Sequence, residues 1–249
     1  MKGSKKNNKR SLAIICAVGA LCLLIVAGIV LWICLSPDGN DDEKKPDDTQ
    51  NTVETGESAG FKAIDIGEGL FLASLADSKG AFPEKGATGD VRESMLCATF
   101  ENRSDRTLQY AKVTVAVGEV EYSFEFSTIP AGKSVYAFEM NGARGDGLEG
   151  DVSAEAEYLV FFPQEPTLLE SDLEITVKDG AISIKNISGK DIDREISVFY
   201  KNTLEGFYLG GITYRVRLAE GLKAGESVNG YASHAREDAT EVMFCQYGA

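Results

Sequence analysis

The second half of this chain repeats the first, so one fold must suit both halves. Three segments match in the same order: Ala98–Ser104 with Ile182–Ser188, Ile129–Val135 with Leu222–Val228, and Leu159–Phe162 with Val242–Cys245. Three ordered matches indicate an internal duplication. We place the boundary between the copies near Pro163–Pro166, where two prolines interrupt the pattern.

Each copy is predicted to be built from strands. Apolar residues alternate along Val113–Val117 and Ile196–Tyr200, which is the period of a half-buried strand. In the second copy two strands meet at Asp179–Gly180, a dipeptide favoured in type I′ turns. Five more strands are expected, for seven in all: 194–201, 206–209, 212–218, 227–233 and 240–247. In the strand 212–218 the apolar face consists of Ile212, Tyr214, Val216 and Leu218.

The strand spacing predicts a mostly β fold with two tandem immunoglobulin-like β-sandwich domains, at 61–163 and 168–249. The paired cysteines and buried tryptophan of antibody domains are absent, because Trp32 falls in the N-terminal apolar run. We therefore expect the architecture without antibody-type kinship.

One pattern resembles a known family. Asn-x-Ser, an alternating strand and then Pro130–Phe138 (PAGKSVYAF) resemble the FxLYD-type small β-sandwich modules of membrane-anchored Gram-positive bacterial surface proteins. The Phe-x-Leu-Tyr-Asp string itself is missing, and Val198–Asn202 is the nearest approach. The resemblance implies an exported, non-catalytic module and supplies no catalytic residues.

Residues 12–35 form an uninterrupted apolar run without charge, long enough for one transmembrane helix. The preceding residues 1–11 hold five basic side chains and no acidic one, so the positive-inside rule predicts a cytoplasmic N-terminal tail. A cleaved signal peptide has a shorter apolar region, and a lipoprotein needs a small residue before its cysteine, where this chain has Ile or Leu. We expect a single-pass signal anchor in the cell membrane with an extracellular C-terminus.

Residues 36–60 have almost no apolar side chain, so we expect a disordered acidic stalk there. The whole chain carries a formal net charge of −14. Such an acidic balance argues against nucleic-acid and anionic-lipid partners, which need a basic face. It fits a soluble, monomeric surface layer or a cationic partner.

No catalytic, cofactor-binding or metal site emerges from the sequence. His234 is the single histidine and lies next to Ser233, but no Gly-x-Ser-x-Gly elbow accompanies it, so we interpret it as a surface residue. Cys97 and Cys245 occupy different places in the repeat, so neither copy can form a disulfide of its own. They either join the two copies or, as we expect, remain buried free thiols.

The first copy carries about ten extra residues between Val135 and Leu159, around the loop 141–151. Insertions in one copy of a duplicated fold tend to add function. The weak candidate ligand-binding residues there are Arg144, Gly145, Asp146, Glu149 and Asp151. They allow an Arg-Gly-Asp adhesion tripeptide, a cluster of three carboxylates for a hard cation, or a plain exposed turn.

Asn102-Arg-Ser104 and Asn186-Ile-Ser188 fit the N-glycosylation pattern. Their equivalent places in the repeat favour a shared turn instead. In that turn the asparagine tolerates a left-handed backbone and the serine bonds back to it.

Three function classes remain. The first is a non-catalytic binding or spacer module at the cell surface, including an accessory subunit of an envelope complex with an unknown protein or surface ligand. The second is an adhesin or cation-dependent binder that uses the 141–151 loop. The third, an extracytoplasmic hydrolase, is disfavoured because no nucleophile, base and orienting group occur together.

Overall fold

Alternating apolar and polar residues produce strands through most of the part of the chain that the structure describes. The computed structural model describes residues 61–81, 91–218 and 221–248. The predicted tail 1–11, anchor 12–35 and stalk 36–60 lie outside these ranges and stay predictions. Within them no helix is long and apolar enough to cross a membrane.

Thirteen strands occur in these ranges, and they fall into the two halves that the repeat defines. The first half contains β1 (Ile64–Gly67), β2 (Leu70–Ala81), β3 (Val91–Asn102), β4 (Leu108–Val117), β5 (Val120–Ile129), β6 (Ser134–Phe138) and β7 (Val152–Phe161). The second half contains β8 (Leu173–Lys178), β9 (Ala181–Asn186), β10 (Ile196–Leu204), β11 (Phe207–Leu218), β12 (Ser227–Tyr231) and β13 (Thr240–Tyr247).

The two halves share one arrangement of strands. In the first, β2-β3-β6 faces β5-β4-β7, and in the second, β8-β9-β12 faces β11-β10-β13. The pairs β3 and β9, β6 and β12, and β7 and β13 contain residues of the three segments that match in sequence. The expectation of an all-β, sandwich-like fold is therefore confirmed, and the repeat in sequence is also a repeat in topology.

Each half has its own apolar core between its two sheets. In the first core Phe100 of β3 stacks on Phe126 of β5, with ring centroids 4.5 Å apart, and contacts Phe124 edge-on at 5.6 Å. In the second core Ile182 and Ile184 of β9 pack with Val198 of β10. Burial of such side chains is the main driving force for closing each sandwich.

One continuous sheet joins the two halves. Its order is β1-β2-β3-β6-β11-β10-β13, and the link is a parallel pairing in which Tyr208 and Leu209 of β11 lie opposite Val135 and Tyr136 of β6. Tyr208 is 2% exposed and belongs to the first core, although it comes from the second copy. This contact between β6 and β11, which we call the seam, is therefore formed by apolar packing as well as by backbone pairing.

A second contact supports the seam on β5. The Thr213 N–H donates to Ser127 Oγ at 2.9 Å, and Thr213 Oγ1 lies 3.2 Å from the Ser127 carbonyl oxygen. Phe207 and Leu209 pack on a third apolar cluster formed by Met95, Cys97, Tyr136 and Phe138. The halves are thus joined on both faces of the shared sheet.

The second copy has six strands in the described ranges, and the prediction of seven was wrong. The expected strands 206–209 and 212–218 are one strand, β11, which bends at Gly210–Gly211. Lys201 is fully buried beside the bend, and its Nζ donates to the Gly211 carbonyl at 2.8 Å. Ile212, expected on the apolar face, is 52% exposed because the bend turns it outward.

The turn prediction at Asp179–Gly180 was also wrong in type. The hairpin forms, but only Gly180 has a positive φ, whereas a type I′ turn needs two. Both central residues are positive in the two-residue turns Glu68–Gly69 (49° and 86°) and Glu205–Gly206 (51° and 88°). The second of these turns the chain from β10 into the strand that locks the two halves.

The repeated asparagine forms the same hydrogen-bond node in each copy. Asn102 Nδ2 donates to the carbonyl oxygens of Arg106 and Ile129, both at 2.8 Å. The Ser104 hydroxyl donates to Asn102 Oδ1 at 2.6 Å. Asn186 repeats this set with the Lys190 carbonyl at 2.7 Å, the Leu222 carbonyl at 2.9 Å and the Ser188 hydroxyl at 2.7 Å.

The shared-turn interpretation is therefore correct in its hydrogen bonds and wrong in its backbone. Neither asparagine has a positive φ; Gly132 and Gly225, whose N–H groups bond to the asparagine carbonyls, carry the left-handed conformation. Both asparagines are at most 1% exposed and donate both amide hydrogens. In the folded chain neither amide nitrogen is therefore free to carry a glycan.

Replacing the node asparagine should destabilise the fold strongly. Asn102→Ala removes the buried donors to the Arg106 and Ile129 carbonyls and the acceptor of the Ser104 hydroxyl, so we expect the free energy of unfolding to fall by about 2–4 kcal/mol. Urea unfolding of the full chain in detergent, followed by circular dichroism, measures the change. Asn229→Ala, at an exposed position of β12, serves as the control and should change it by less than about 0.5 kcal/mol; equal effects would contradict the role of the node.

Removing the seam tyrosine should loosen the first copy from the second. Tyr208→Ala empties a site in the first core, and large aromatic truncations cost about 3–5 kcal/mol. We expect faster amide hydrogen exchange in β6, measured by mass spectrometry on the full chain. Tyr231→Ala, at a side chain that is 83% exposed, should leave β6 unchanged. Unchanged exchange in the Tyr208 variant would mean that the copies fold independently.

Candidate ligand-binding site

The 141–151 loop begins on a buried carboxylate. Glu139 follows β6 directly and is 2% exposed. Its Oε2 accepts hydrogen bonds from the N–H groups of Asn141 at 2.8 Å and Ala143 at 2.9 Å, and its Oε1 accepts one from Asn141 Nδ2 at 3.0 Å. A buried charge is tolerated only when such donors surround it, and here they fix the start of the loop.

Strand β3 holds the next residues. The Ala143 carbonyl accepts from the Leu96 N–H at 2.7 Å, and the Gly142 carbonyl accepts from Arg92 Nη1 at 3.0 Å. Ser94 Oγ accepts from the Gly145 N–H at 3.0 Å. The first half of the loop is therefore docked along β3.

Gly145 sits where only glycine fits. It is buried, and a Cβ atom there would lie 2.7 Å from Asp77 Cα and 2.9 Å from the Met95 carbonyl oxygen. Both are backbone atoms of paired strands, which cannot move aside cheaply. The glycine of the Arg-Gly-Asp tripeptide is thus explained by close packing on β2 and β3.

Arg144 and Asp146 pair with each other. Arg144 Nε and Nη2 donate to the two carboxylate oxygens of Asp146 at 2.7 and 2.6 Å, and Ser94 Oγ lies 3.0 Å from Asp146 Oδ1. The Arg144 guanidinium, followed by the Ser94 hydroxyl, lowers the pKa of Asp146 to about 2, and the pKa of Arg144 is raised by the same pair. The two charges that an adhesion receptor would have to contact neutralise each other.

The three carboxylates of the loop do not converge. Asp146 is engaged by Arg144, while Glu149 and Asp151 are exposed beyond it. Across residues 61–81, 91–218 and 221–248, no group of three His, Cys, Asp or Glu side chains could hold a metal ion. The structure therefore does not gather the loop residues into the cation site that the sequence allowed.

The second half of the loop borders a surface cavity of about 560 Å³. About half of the cavity wall is apolar, and five of its residues pack in or on the first core: Phe61, Leu75, Val117, Leu148 and Val152. Ala76, which packs on the third apolar cluster, also lines the cavity. Asp77 and Glu149 supply its acidic groups, and glycines at 145, 147 and 150 complete the lining. Among the predicted loop residues, Gly145 and Glu149 thus line the cavity, whereas Arg144, Asp146 and Asp151 do not.

The extra residues of the first copy create this cavity wall. The connection from β6 to β7 covers 139–151, five residues more than the connection 232–239 in the second copy. The other five lengthen β7, which starts at Val152 and contributes that residue to the cavity. The insertion is therefore built into the fold as a wall and an anchored loop.

The remaining candidate residues have structural roles. His234 stacks on Tyr214 with ring centroids 4.5 Å apart, and its carbonyl accepts from Asn202 Nδ2 at 2.8 Å. Cys97 and Cys245 are both free and buried, as expected, and burial raises the pKa of each thiol to about 12. Thiols with such pKa values stay protonated at neutral pH and are poor nucleophiles.

Sequence reasoning missed the residues that hold the loop. Asp77, Arg92 and Ser94 lie about 50 or more positions before it, and Glu139 stands just outside the range that was singled out. One signal was available: Arg92, Glu93 and Ser94 are polar residues directly before the apolar run Met95–Ala98 of β3. Polar side chains that enter a buried strand usually have a specific partner.

No protein-family model matches this chain, and no curated protein or solved structure is similar to it at a significant level. The resemblance to FxLYD-type modules stays a prediction.

Loss of the arginine should raise the pKa of Asp146. With Arg144→Gln we expect it to move from about 2 towards its ordinary value of 3.8, because the largest cause of the depression is gone. The pair contributes stability above about pH 4 and loses it as the pH falls towards 2. Carboxyl ¹³C NMR titration of the full chain measures the shift, with Lys185→Gln, from the separate Lys185–Glu174 pair, as the control. An unchanged titration of Asp146 in the Arg144 variant would contradict the pairing.

Proposed function

We propose that this chain is a single-pass membrane-anchored protein that acts outside the cytoplasm as a non-catalytic binding module. Two tandem immunoglobulin-like sandwiches of the FxLYD type form its exposed part, and the apolar run 12–35 is its anchor. The cavity beside the 141–151 loop is its contact surface. The partner is a protein of the cell envelope, for which this chain is an accessory subunit.

One observation carries the proposal. The first copy has a longer loop than the second; buried polar groups fix the first half of this loop on β3, and its second half borders a 560 Å³ cavity. This volume lies within the range of about 300–1,000 Å³ that is typical of ligand sites. Both ends of the segment 147–150 are fixed, because the Gly145 N–H donates to Ser94 Oγ and the Asp151 carbonyl accepts from the Gly118 N–H at 3.0 Å. Fixed ends lower the entropy cost of ordering this segment on binding.

Two features favour a binding role over the adhesin alternative. The Arg144–Asp146 pair leaves little charge for a receptor to contact through the tripeptide, and Gly145 is buried. The acidic carboxylates of the loop stand apart. At the cavity a partner would contact the outer half of the loop, while the anchored half stays bound to β3.

Site-specific photocrosslinking tests the proposal. A photoreactive amino acid at position 148, on the cavity wall, should give one reproducible adduct in native membranes that contain the full chain. The same amino acid at position 231, which is also exposed but lies on the second copy, should not. Mass spectrometry then identifies the adduct.

A matched loop variant makes the result specific. A photoreactive amino acid at position 152, which also lines the cavity, should give the same adduct in the intact chain. Deletion of residues 147–150 keeps the contacts of Glu139 and Ser94, so the fold should survive while the adduct from position 152 disappears. Equal crosslinking from positions 148 and 231, or an adduct at 152 that persists after the deletion, would overturn the proposal.

A further inference from the structure

We infer that the cavity receives the side chain of a lysine or arginine from a partner protein. The inference rests on the proposed function, because it names the chemistry of the partner at the same surface. It depends on the shape, wall and charge of the cavity.

The wall suits the aliphatic stem of a long cationic side chain. Phe61, Leu75, Leu148 and Val152 present partly buried apolar surface that belongs to the edge of the first core. Lysine and arginine bury their methylene stems on such surfaces while the charged head stays at a polar rim. An apolar wall alone would not select lysine or arginine, so the selectivity comes from the charged groups at the rim.

The rim carries two acidic side chains, of which Asp77 also lies within the electrostatic range of the Arg144 guanidinium. Asp77 and Glu149 line the cavity, and no lysine or arginine is among the described residues that do. Arg144 is adjacent in sequence to the lining residue Gly145, but its guanidinium is bound by Asp146 through two hydrogen bonds, so this pair adds no net charge. Electrostatic complementarity therefore favours a cation at the rim.

The carboxylate of Asp77 is held in place by hydrogen bonds from β3. Its Oδ1 accepts from the Ser94 hydroxyl at 2.6 Å and from the Met95 N–H at 3.1 Å, while its side chain is exposed towards the cavity rim. A carboxylate that is fixed before binding loses less entropy when a cation arrives. Glu149 is exposed on the loop, with no ion-pair partner in the part of the chain that the structure describes.

The size of the cavity favours a polypeptide over a small amine. A volume of about 560 Å³ accommodates a long side chain together with part of the backbone that carries it. The net charge of −14 would also draw basic segments of a partner towards this surface before contact.

Methyl NMR on the full chain in phosphatidylcholine nanodiscs tests the inference, with leucine and valine methyl groups labelled. The probe is the capped peptide acetyl-Ala-Ala-Lys-Ala-Ala-amide. We expect saturable shifts at Leu75, Leu148 and Val152, whose methyl groups line the cavity. The same peptide with norleucine keeps the stem without the charge and should bind at least fivefold more weakly; a glutamate version should not bind.

Charge variants of the protein give the matched comparison. Glu149→Gln should weaken the lysine peptide at least threefold and leave the norleucine peptide unchanged. Glu170→Gln, an exposed acid in the second copy, is the control and should change neither.

Three results would overturn the inference: equal affinity for the lysine and norleucine peptides, no effect of Glu149→Gln, or binding of n-butylamine as tightly as the lysine peptide. The last would assign the cavity to a small amine. The crosslink at position 148 separates the two proposals, because a specific adduct there without lysine selectivity retains the binding role and rejects only the cationic side chain.

Discussion

Each sandwich is closed at one end by a single buried carboxamide. Asn102 terminates β3 in one sheet and bonds to the Ile129 carbonyl, at the end of β5 in the opposite sheet. Asn186 does the same between β9 and Leu222, which follows β11. A carboxamide has two donors and one acceptor, so it can join two carbonyls and a serine hydroxyl at once. No other side chain of similar size offers that set, and buried carbonyls left unpaired are costly.

The contact between the copies depends on strands β6 and β11, each of which has one edge unpaired within its own copy. An unpaired strand edge seeks a partner, and here the edge of β6 in the first copy takes the start of β11 from the second. Tyr208 then enters the first core, and Phe207 and Leu209 cover the opposite face of the same sheet. Because β6 is paired on both sides, the residue that follows it, Glu139, starts from a fixed position. The start of the 141–151 loop is then held on β3, where the Glu139 N–H donates to the Leu96 carbonyl and the Leu96 N–H to the Ala143 carbonyl.

The sequence predicted what local pattern controls. The repeat was visible because the asparagine node demands Asn-x-Ser in both copies, and most strands of the second copy followed from alternation. The bend of β11 was not predictable in this way, because Gly210–Gly211 read as a break, whereas the buried Lys201 and the pairing with β6 keep one strand continuous. The closure of Arg144 on Asp146 also escaped prediction. It depends on Ser94, which is distant in sequence and comes close only when β3 and the loop are packed.

The difference between the copies explains the cavity beside the loop of the first copy. In the second copy the connection 232–239 folds down: Ala232 and Ala235 are 2% and 3% exposed, belong to the second core, and exchange backbone hydrogen bonds with Gly180 in the β8–β9 turn. Small apolar residues thus close that end. In the first copy the longer connection is held on β3 by Glu139 and Ser94, and Leu148 and Val152 stand apart as a wall. Duplication allows this difference, because the second copy keeps the short connection while the first copy, supported by the seam, carries the longer one.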